Sequence, residues 1–246
     1  METALLKENE SLDDLILGGL RIIQPRAGYR FSIDAVLLAH FLPGGQKGTI
    51  IDLGSGNGAI SLLLSALHPQ AQIIGVEIQE QMVERARRSA QLNRLTERVS
   101  FINADIRTLH HHMDAAVADW VLCNPPFWKE NEGKINPHPE AAAARHELKL
   151  TLKELIPQAA RILKDRGSLA LVHRAERLPE IIALLPEHRL QPRRLRPVYP
   201  QPDRSAALIL LEAQKASRVP LEIKPPLLLR QKGGDWSDEI KSWYPD

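Results

Sequence analysis

The stretch TIIDLGSGNG, residues 49–58, joins a short strand pattern to a glycine-rich loop. Residues 49–53 are apolar and largely β-branched, which is typical of a buried strand. The glycines at 54, 56 and 58 permit a tight turn and let a bound molecule approach the backbone closely. A glycine-rich turn between a strand and a helix is weak evidence by itself, so its meaning depends on the elements around it.

Strand and helix patterns alternate on either side of this loop. The patterns predict helices at 58–69, 79–95, 148–163 and 176–185, and strands at 71–78, 98–105, 119–123 and 167–173. Strands separated by helices of this length form parallel βαβ units. The sequence therefore predicts an α/β fold with a doubly wound, mostly parallel sheet, whose ligands bind beyond the carboxyl ends of the strands.

The two ends of the chain depart from this alternation. Residues 193–214 read as two strands around a proline-rich turn, which predicts an antiparallel hairpin at an edge of the sheet. The first 48 residues contain turn-rich short strands and an apolar helix, and we expect this extension to cover the site. We therefore divide the chain into a short N-terminal extension, 1–48, and a main domain, 49–246.

Composition excludes several classes of protein. The formal net charge of the 246 residues is only +2, so any nucleic-acid surface must be a local patch. Cys123 is the single cysteine, which excludes an internal disulfide and suggests a reducing compartment. No apolar run is long enough to span a bilayer, and the acidic start differs from a signal peptide. We expect a soluble cytoplasmic protein with no membrane and no metal partner, since the histidines at 110–112 lack partners at ligand spacing.

Acidic residues accompany the glycine loop at the ends of successive strands. Asp52 precedes the loop, Glu77 ends the second strand of the alternation, and Asp105 closes the third. A carboxylate at the position of Glu77 can accept hydrogen bonds from ribose hydroxyls. The GxGxG spacing differs from the GxGxxG of a dinucleotide fold, and an acid beside the loop disfavours a phosphate while suiting a cation or an amino group.

Together these residues resemble the S-adenosylmethionine site of the class I methyltransferases, over roughly residues 48–175. The resemblance implies a Rossmann-like sheet with S-adenosylmethionine as cofactor. In that family the glycine loop runs beneath the methionine part of the donor, the acid after the second strand holds the ribose hydroxyls, and the residue after the third strand binds the adenine. Those roles fall on Gly54 and Gly56, on Glu77 and on Asp105, with Asp52 beside the loop.

A second motif, NPPF at residues 124–127, follows the fourth strand of the alternation. Prolines end strands and helices, so this stretch is a loop that faces the donor across the carboxyl end of the sheet. The motif is similar to the NPP[YF] motif of methyltransferases that modify planar amide or exocyclic amino nitrogens. Tyrosine is frequent at the last position, so this chain lacks a phenol hydroxyl there while keeping an aromatic ring.

The chemistry of such nitrogens explains these residue types. The N6 lone pair of adenine is delocalised into the ring, so the amino hydrogens must be held by acceptors before the nitrogen can act as a nucleophile. The side-chain oxygen of Asn124, which we also expect to contact the donor, and the carbonyl of Pro125 can supply them. Pro126 stiffens the loop, and Phe127 would stack on the base.

The residues that flank NPPF decide between acceptors, because enzymes acting on adenine N6, on guanine N2 and on release-factor glutamine share the motif. WKENEGKINPHPEAAAARHE (128–147) and LGGLRIIQPRAGYRFSIDAVLLAHF (17–41) resemble the family of tRNA N6-adenine methyltransferases that modify valine tRNA beside the anticodon. Residues 220–240 carry a weaker likeness to the same family. The resemblance implies that tRNA is the partner of this chain.

Cations beside the predicted pocket and on the predicted hairpin are candidates for RNA phosphate contacts, which position RNA without reading its sequence. They are Lys129, Lys134, Arg145, Arg193, Arg194 and Arg196. These cations could equally have roles within the protein or at its surface. Arg145 and Glu147 could form an ion pair at the start of a helix, and residues 193–196 could be an ordinary solvated strand.

We therefore expect a methyltransferase that moves a methyl group from S-adenosylmethionine to an adenine N6 in tRNA. One alternative is methylation of another nitrogen: guanine N2 in rRNA, adenine in DNA or a release-factor glutamine. The release-factor enzymes would have a larger helical N-terminal domain than 48 residues can make. A second alternative is a non-catalytic module that binds S-adenosylmethionine or RNA.

Overall fold

The computed structural model describes residues 5–15, 17–28, 30–125 and 150–244. In chain order the elements are β1 (Glu10–Asp14), β2 (Arg21–Pro25), α1 (Ile33–Phe41), β3 (Lys47–Leu53), α2 (Ala59–Leu67), β4 (Gln70–Glu77), α3 (Glu80–Leu92), β5 (Val99–Asn103), β6 (Ala118–Cys123), α4 (Leu152–Ile162), β7 (Leu163–Arg174), α5 (Leu178–Leu184), β8 (Leu190–Tyr199), β9 (Leu208–Lys215), β10 (Glu222–Ile223), β11 (Leu227–Leu228) and α6 (Asp238–Ser242). Short 3-10 helices lie at Ile106–His111, Ala175–Arg177 and Pro186–His188. Over the described ranges, no helix combines the length and the apolar character needed to cross a membrane.

One large sheet organises the chain. Its strand order is β10-β8-β9-β7-β6-β3-β4-β5, with β11 also paired to β8. Strands β3 to β7 run parallel, whereas β9 is antiparallel to both of its neighbours, β7 and β8. The predicted doubly wound, mostly parallel sheet is confirmed, and so is the antiparallel hairpin, which β8 and β9 form.

Continuous apolar runs form the central strands because both faces of the sheet are covered. Ile50 and Ile51 are adjacent on β3 and fully buried, yet they belong to cores on opposite faces. Helices α1, α2 and α3 contribute Leu37, Leu62 and Val83 to the first core. Helices α4 and α5 contribute residues such as Leu155 and Ile181 to the second.

Two predicted strand boundaries were wrong, each for a local reason. The strand predicted at 98–105 ends at Asn103, because the Asp105 side chain accepts a hydrogen bond from the Arg107 N–H and caps a 3-10 helix. The strand predicted at 167–173 begins already at Leu163, where the chain leaves α4 and pairs with Ala118 of β6.

The N-terminal residues pack against the sheet domain instead of standing apart from it. The hairpin of β1 and β2 docks on α3, where the Ile23 N–H donates to Ser89 Oγ at 3.0 Å and the Arg21 N–H donates to Asn93 Oδ1 at 2.9 Å. Helix α1 shares the first buried core with α2 and with strands of the sheet. The division of the chain after residue 48 remains a prediction.

The order of the strands reverses at β3. From β3 the chain continues to β4 and β5 on one side, and then crosses to β6 and β7 on the other. In sheets of this type the crevice at the reversal, beyond the carboxyl ends of the strands, is where ligands bind. Here the crevice lies between the loop after Leu53 and the loop after Cys123.

Candidate active site

The glycine loop after β3 is held against β4 by its own backbone. The N–H groups of Gly54 and Ser55 both donate to the carbonyl of Val76, at 2.8 and 3.0 Å. Gly54 and Gly58 have φ angles of +75° and +86°, a region that residues with side chains rarely adopt. A Cβ on Gly58 would lie 2.8 Å from the Phe101 ring, whereas one on Gly54 would meet no atom within 4 Å. The loop is therefore closed towards the core and open towards the crevice.

Glu77 ties the loop to the next helix. Its Oε2 accepts a hydrogen bond from the Gly56 N–H at 3.0 Å, and its Oε1 accepts one from the Gln79 N–H at 2.9 Å. Burial raises the pKa of this carboxyl, which is 3% exposed, and the backbone hydrogen bonds oppose that shift. Asn103 Nδ2 donates to the Glu77 carbonyl at 3.0 Å, so β5 helps to fix the end of β4.

Asp52 lies beneath the loop and is fully buried. Its Oδ2 accepts a hydrogen bond from Ser61 Oγ at 2.8 Å. Burial raises its pKa to about 7, and the negative charge of Glu77 adds to the shift. Among the described residues, Asp52 Oδ1 and Ser55 Oγ are buried without a hydrogen-bond partner. Buried polar atoms are normally paired, so these two mark a place where a polar ligand group would be accommodated.

A small pocket opens above the glycine loop. Its lining comes from the loop, the start of α2, the N-terminal residues and the end of β6: Phe31, Ala35, Gly54, Ser55, Gly56, Asn57, Ala59, Ile60 and Asn124. Asn124 follows Cys123, the last residue of β6, and so faces the loop across the crevice. The structure thus brings the two sequence motifs together on one cavity.

The rest of the NPPF motif is only partly described. Pro125 is buried beside Asn124, while Pro126 and Phe127 lie outside the described residues. The same holds for three of the predicted RNA contacts, Lys129, Lys134 and Arg145. Cys123 is fully buried, and burial together with the charges of Asp52 and Glu77 raises the pKa of its thiol, so it stays protonated.

Asp105 already has a partner. Arg107 Nε lies 2.9 Å from Asp105 Oδ2, and the Arg107 N–H donates to Asp105 Oδ1 at 2.8 Å. These hydrogen bonds lower the pKa of the carboxyl, which remains ionised. Asp105 does stand beyond the end of β5, where an adenine was predicted to bind, but the guanidinium of Arg107 would have to release it. Its contact with adenine stays a prediction.

The three arginines of β8 are engaged within the protein. Arg194 forms an ion pair with Glu212, donates to the carbonyl of Phe41 at 3.2 Å and lies 4.7 Å above the Phe41 ring. Arg193 lies 3.7 Å from the same carboxylate, and Arg196 forms a two-pronged pair with Glu239 at 2.7 Å. Their contact with RNA remains a prediction, and the structure gives each of them an internal role.

Some residues of the pocket were missed by sequence reasoning. Phe31 and Ala35 of the N-terminal segment line the pocket. They are far in sequence from the glycine loop and from NPPF, and no motif links them to either. Ser61 was detectable in principle, because a polar residue within the buried stretch AISLLLSAL needs a hydrogen-bond partner. Within the described ranges, no cluster of His, Cys, Asp and Glu could hold a metal ion.

Comparisons with known proteins identify the family and the fold of the chain. The methyltransferase domain family matches residues 45–198. A tRNA1(Val) (adenine(37)-N6)-methyltransferase of Porphyromonas gingivalis is 31% identical over 203 residues, which cover 79% of this chain and 78% of that protein. A protein of the same name from Vibrio cholerae is 28% identical over 207 residues, covering 84% and 83%. A solved structure of a predicted O-methyltransferase from Agrobacterium tumefaciens has the same fold, with a TM-score of 0.70, 24% identity and coverage of 86% and 95%.

Proposed function

Because this chain belongs to the methyltransferase domain family and, within it, to the tRNA1(Val) (adenine(37)-N6)-methyltransferases, we propose that it methylates the N6 of an adenine in tRNA. The methyl donor is S-adenosylmethionine, and the target is adenine 37, the position that the relatives' name gives. One observation carries the proposal: Gly54, Gly56 and Asn124 line the same pocket at the reversal of the sheet.

The residues present fit the donor. A Cβ built on Gly54 meets no atom within 4 Å, so there is room for a ligand beside the loop. The buried Asp52 Oδ1 and Ser55 Oγ make no hydrogen bond within the described residues and can accept one from a ligand. We assign the ribose hydroxyls to Glu77, whose carboxylate is fixed by two backbone N–H groups. The amino group of the methionine part would suit the carboxyl of Asp52, because a cation bound beside it favours the ionised form. When bound, S-adenosylmethionine supplies an electrophilic methyl group.

Asn124 and Pro125 then hold the acceptor. The amide oxygen of Asn124 and the carbonyl of Pro125 accept the two amino hydrogens of adenine, which aims the nitrogen lone pair at the donor side of the pocket. Fixed acceptors of this kind lower a barrier because they need no reorganisation during the reaction. No strong general base is required, since the amine becomes acidic once it is methylated. Phe127 would stack on the extruded base, and Pro126 would restrict the loop.

The test is to identify the methylated product. The protein is incubated with labelled S-adenosylmethionine and total tRNA from a strain lacking the gene, and the RNA is digested to nucleosides. We expect the label in N6-methyladenosine. Parallel incubations with rRNA, DNA and release factor test the other acceptors that share NPP[YF]. Label in one of those, and none in tRNA, would overturn the choice of acceptor; no label in any would favour a binding module without catalysis.

A further inference from the structure

The C-terminal segment presents an aromatic ring and a guanidinium that are already stacked. The Arg230 guanidinium lies 4.3 Å from the centroid of the Trp236 ring, and Trp236 is 38% exposed. Arg230 also donates to the carbonyl of Gly234 at 2.6 Å, and the backbones of Arg230 and Trp236 form a β-bridge. The turn between them therefore fixes the orientation of both groups without a ligand.

This stack lies at the same edge of the sheet as the candidate active site. Strands β7 and β8 are both antiparallel to β9, so they run in the same direction. Strand β6 is parallel to β7 and therefore also to β8. The Arg230 N–H donates to the carbonyl of Pro200, just after the carboxyl end of β8, at 3.1 Å. Four strand spacings of about 4.8 Å, roughly 19 Å in total, separate β6 from β11, the strand that leads into the stack.

Two exposed cations lie at the same edge of the sheet as the stack. Arg204 lies in the connection from β8 to β9, at this carboxyl edge, and Lys232 lies in the turn between Arg230 and Trp236. Over the part of the chain that the structure describes, neither side chain has an ion-pair partner, in contrast to Arg194 and Arg196, which are engaged by Glu212 and Glu239.

We propose that Trp236 and Arg230 form a stacking platform for a nucleotide of the RNA substrate, outside the pocket that holds the methylated base, with Arg204 and Lys232 contacting phosphates beside it. The proposal rests on the proposed function, since it adds a second contact for the same substrate. A methyl donor cannot span the roughly 19 Å from β6 to β11, whereas a polynucleotide can. Aromatic rings and guanidinium planes are the surfaces on which unpaired RNA bases stack, whatever their sequence.

The direct test compares tRNA affinity between Trp236→Ala and Trp236→Phe, measured by fluorescence anisotropy with labelled tRNA. We expect Trp236→Ala to bind tRNA about 5- to 150-fold more weakly, and Trp236→Phe to retain most of the affinity because the ring survives. Ile223→Ala is the matched control. Ile223 is an apolar residue of β10 that is 65% exposed, and its removal should leave tRNA affinity unchanged.

A second pair of substitutions tests the phosphate contacts instead of the stacked ring. The double variant Arg204→Ala, Lys232→Ala removes two exposed cations, and we expect the slope of log affinity against log salt to become shallower by about 1 for each phosphate that the variant no longer neutralises. Calorimetric binding of S-adenosylhomocysteine should be the same in all variants, which shows that the donor pocket is folded.

Outcomes for this proposal and for the proposed function are distinguishable. An unchanged tRNA affinity in Trp236→Ala, or an unchanged salt slope in the double variant, overturns the platform. This holds even if the wild-type protein makes N6-methyladenosine. Such a result would point to a protein partner at Trp236. Weaker tRNA binding with intact donor binding supports the platform even if another nucleotide proves to be the methyl acceptor.

Discussion

The carboxylate of Glu77 accepts a hydrogen bond from the backbone N–H of Gly56, 21 positions earlier in the chain, at 3.0 Å. This contact joins the loop after β3 to the end of β4, the two segments to which we assign the donor contacts. It also explains why an acid at the end of the second strand and a glycine loop after the first occur together in this sequence.

Replacing Glu77 by Ala should weaken donor binding. Hydrogen bonds to a charged group are worth about 1.5–3 kcal/mol, so we expect affinity for S-adenosylhomocysteine to fall roughly 10- to 150-fold in calorimetric titration. Glu77→Gln keeps an acceptor oxygen and should lose less. Glu80→Ala removes an exposed acid from the first turn of α3 and serves as the control. Unchanged affinity in Glu77→Ala would exclude the assigned ribose contact.

Replacing Asn124 by Ala should separate turnover from donor binding. The substitution removes one of two acceptors for the amino hydrogens, and the loss of a fixed group of this kind lowers kcat by about 100- to 1,000-fold. Donor affinity should change little, because the glycine loop and Glu77 remain. Steady-state kinetics with tRNA and calorimetry with S-adenosylhomocysteine give the two readouts. A variant that turns over normally would refute the role of Asn124.

The buried Asp52 should make stability depend on pH. The pKa of Asp52 is about 7 in the folded protein, whereas its ordinary value, which applies to the unfolded chain, is 3.8. Between pH 3.8 and about 7 the folded protein therefore holds a proton that the unfolded chain has released. The stabilising contribution of that proton is complete below 3.8 and is lost as the pH rises through about 7. Asp52→Asn should remove this dependence.

Urea unfolding of wild type and Asp52→Asn, measured across that pH range, checks the prediction. The free energy of unfolding of the wild type should fall relative to the variant by up to about 1.4 kcal/mol per pH unit, and the difference should level off above the folded pKa. Parallel curves for the two proteins over the whole range would mean that Asp52 ionises at its ordinary pKa.

The N-terminal hairpin should depend on the buried carboxylate of Glu10, which pairs with two arginines of α3. Glu10 is 3% exposed, and its Oε2 lies 2.6 Å from Arg88 Nη1, while Oε1 lies 3.0 Å from Arg85 Nε. The hydrogen bond with Arg88 lowers the pKa of Glu10 to about 2, so its stabilisation is complete above 4.5 and is lost as the pH falls through about 2.

Glu10→Ala should lower the free energy of unfolding at neutral pH by about 1.5–3 kcal/mol, because Arg88 and Arg85 lose this carboxylate while Arg88 keeps its pair with Glu84. Lys7→Ala is the control, since its pair with Glu84 joins side chains that are 65% and 43% exposed and such pairs contribute about 0–1 kcal/mol. Thermal or urea unfolding measures both. Equal small effects in the two variants would show that the apolar contacts and the backbone hydrogen bonds to α3 dock the hairpin without Glu10.

The parts of the fold that were predictable depend on local pattern. The strand at 49–53, the glycine loop and Glu77 could be placed because apolar runs and turn residues act over a few positions. Their convergence with Asn124 followed from parallel strands sharing one carboxyl edge.

The parts that were missed depend on register and on contacts between distant segments. Arg194 faces Glu212 only because β8 and β9 pair in one register, which the hairpin prediction left open. Phe31 lines the pocket, and its backbone N–H donates to Gln24 Oε1 at 2.9 Å, which fixes the N-terminal turn. No sequence motif predicts this contact. Asp105 was predicted to lie at a strand end, but its carboxylate already accepts a hydrogen bond from the guanidinium of Arg107.

The most direct test of the central claim is to incubate an unmodified valine tRNA transcript with S-adenosylmethionine and locate the methyl group by mass spectrometry of nuclease fragments, for wild type and Asn124→Ala. We expect wild type to place one methyl group on N6 of the adenine beside the anticodon, and Asn124→Ala to place almost none. A methyl group on guanine N2, or full methylation by Asn124→Ala, would contradict the assignment of this pocket to adenine N6 chemistry.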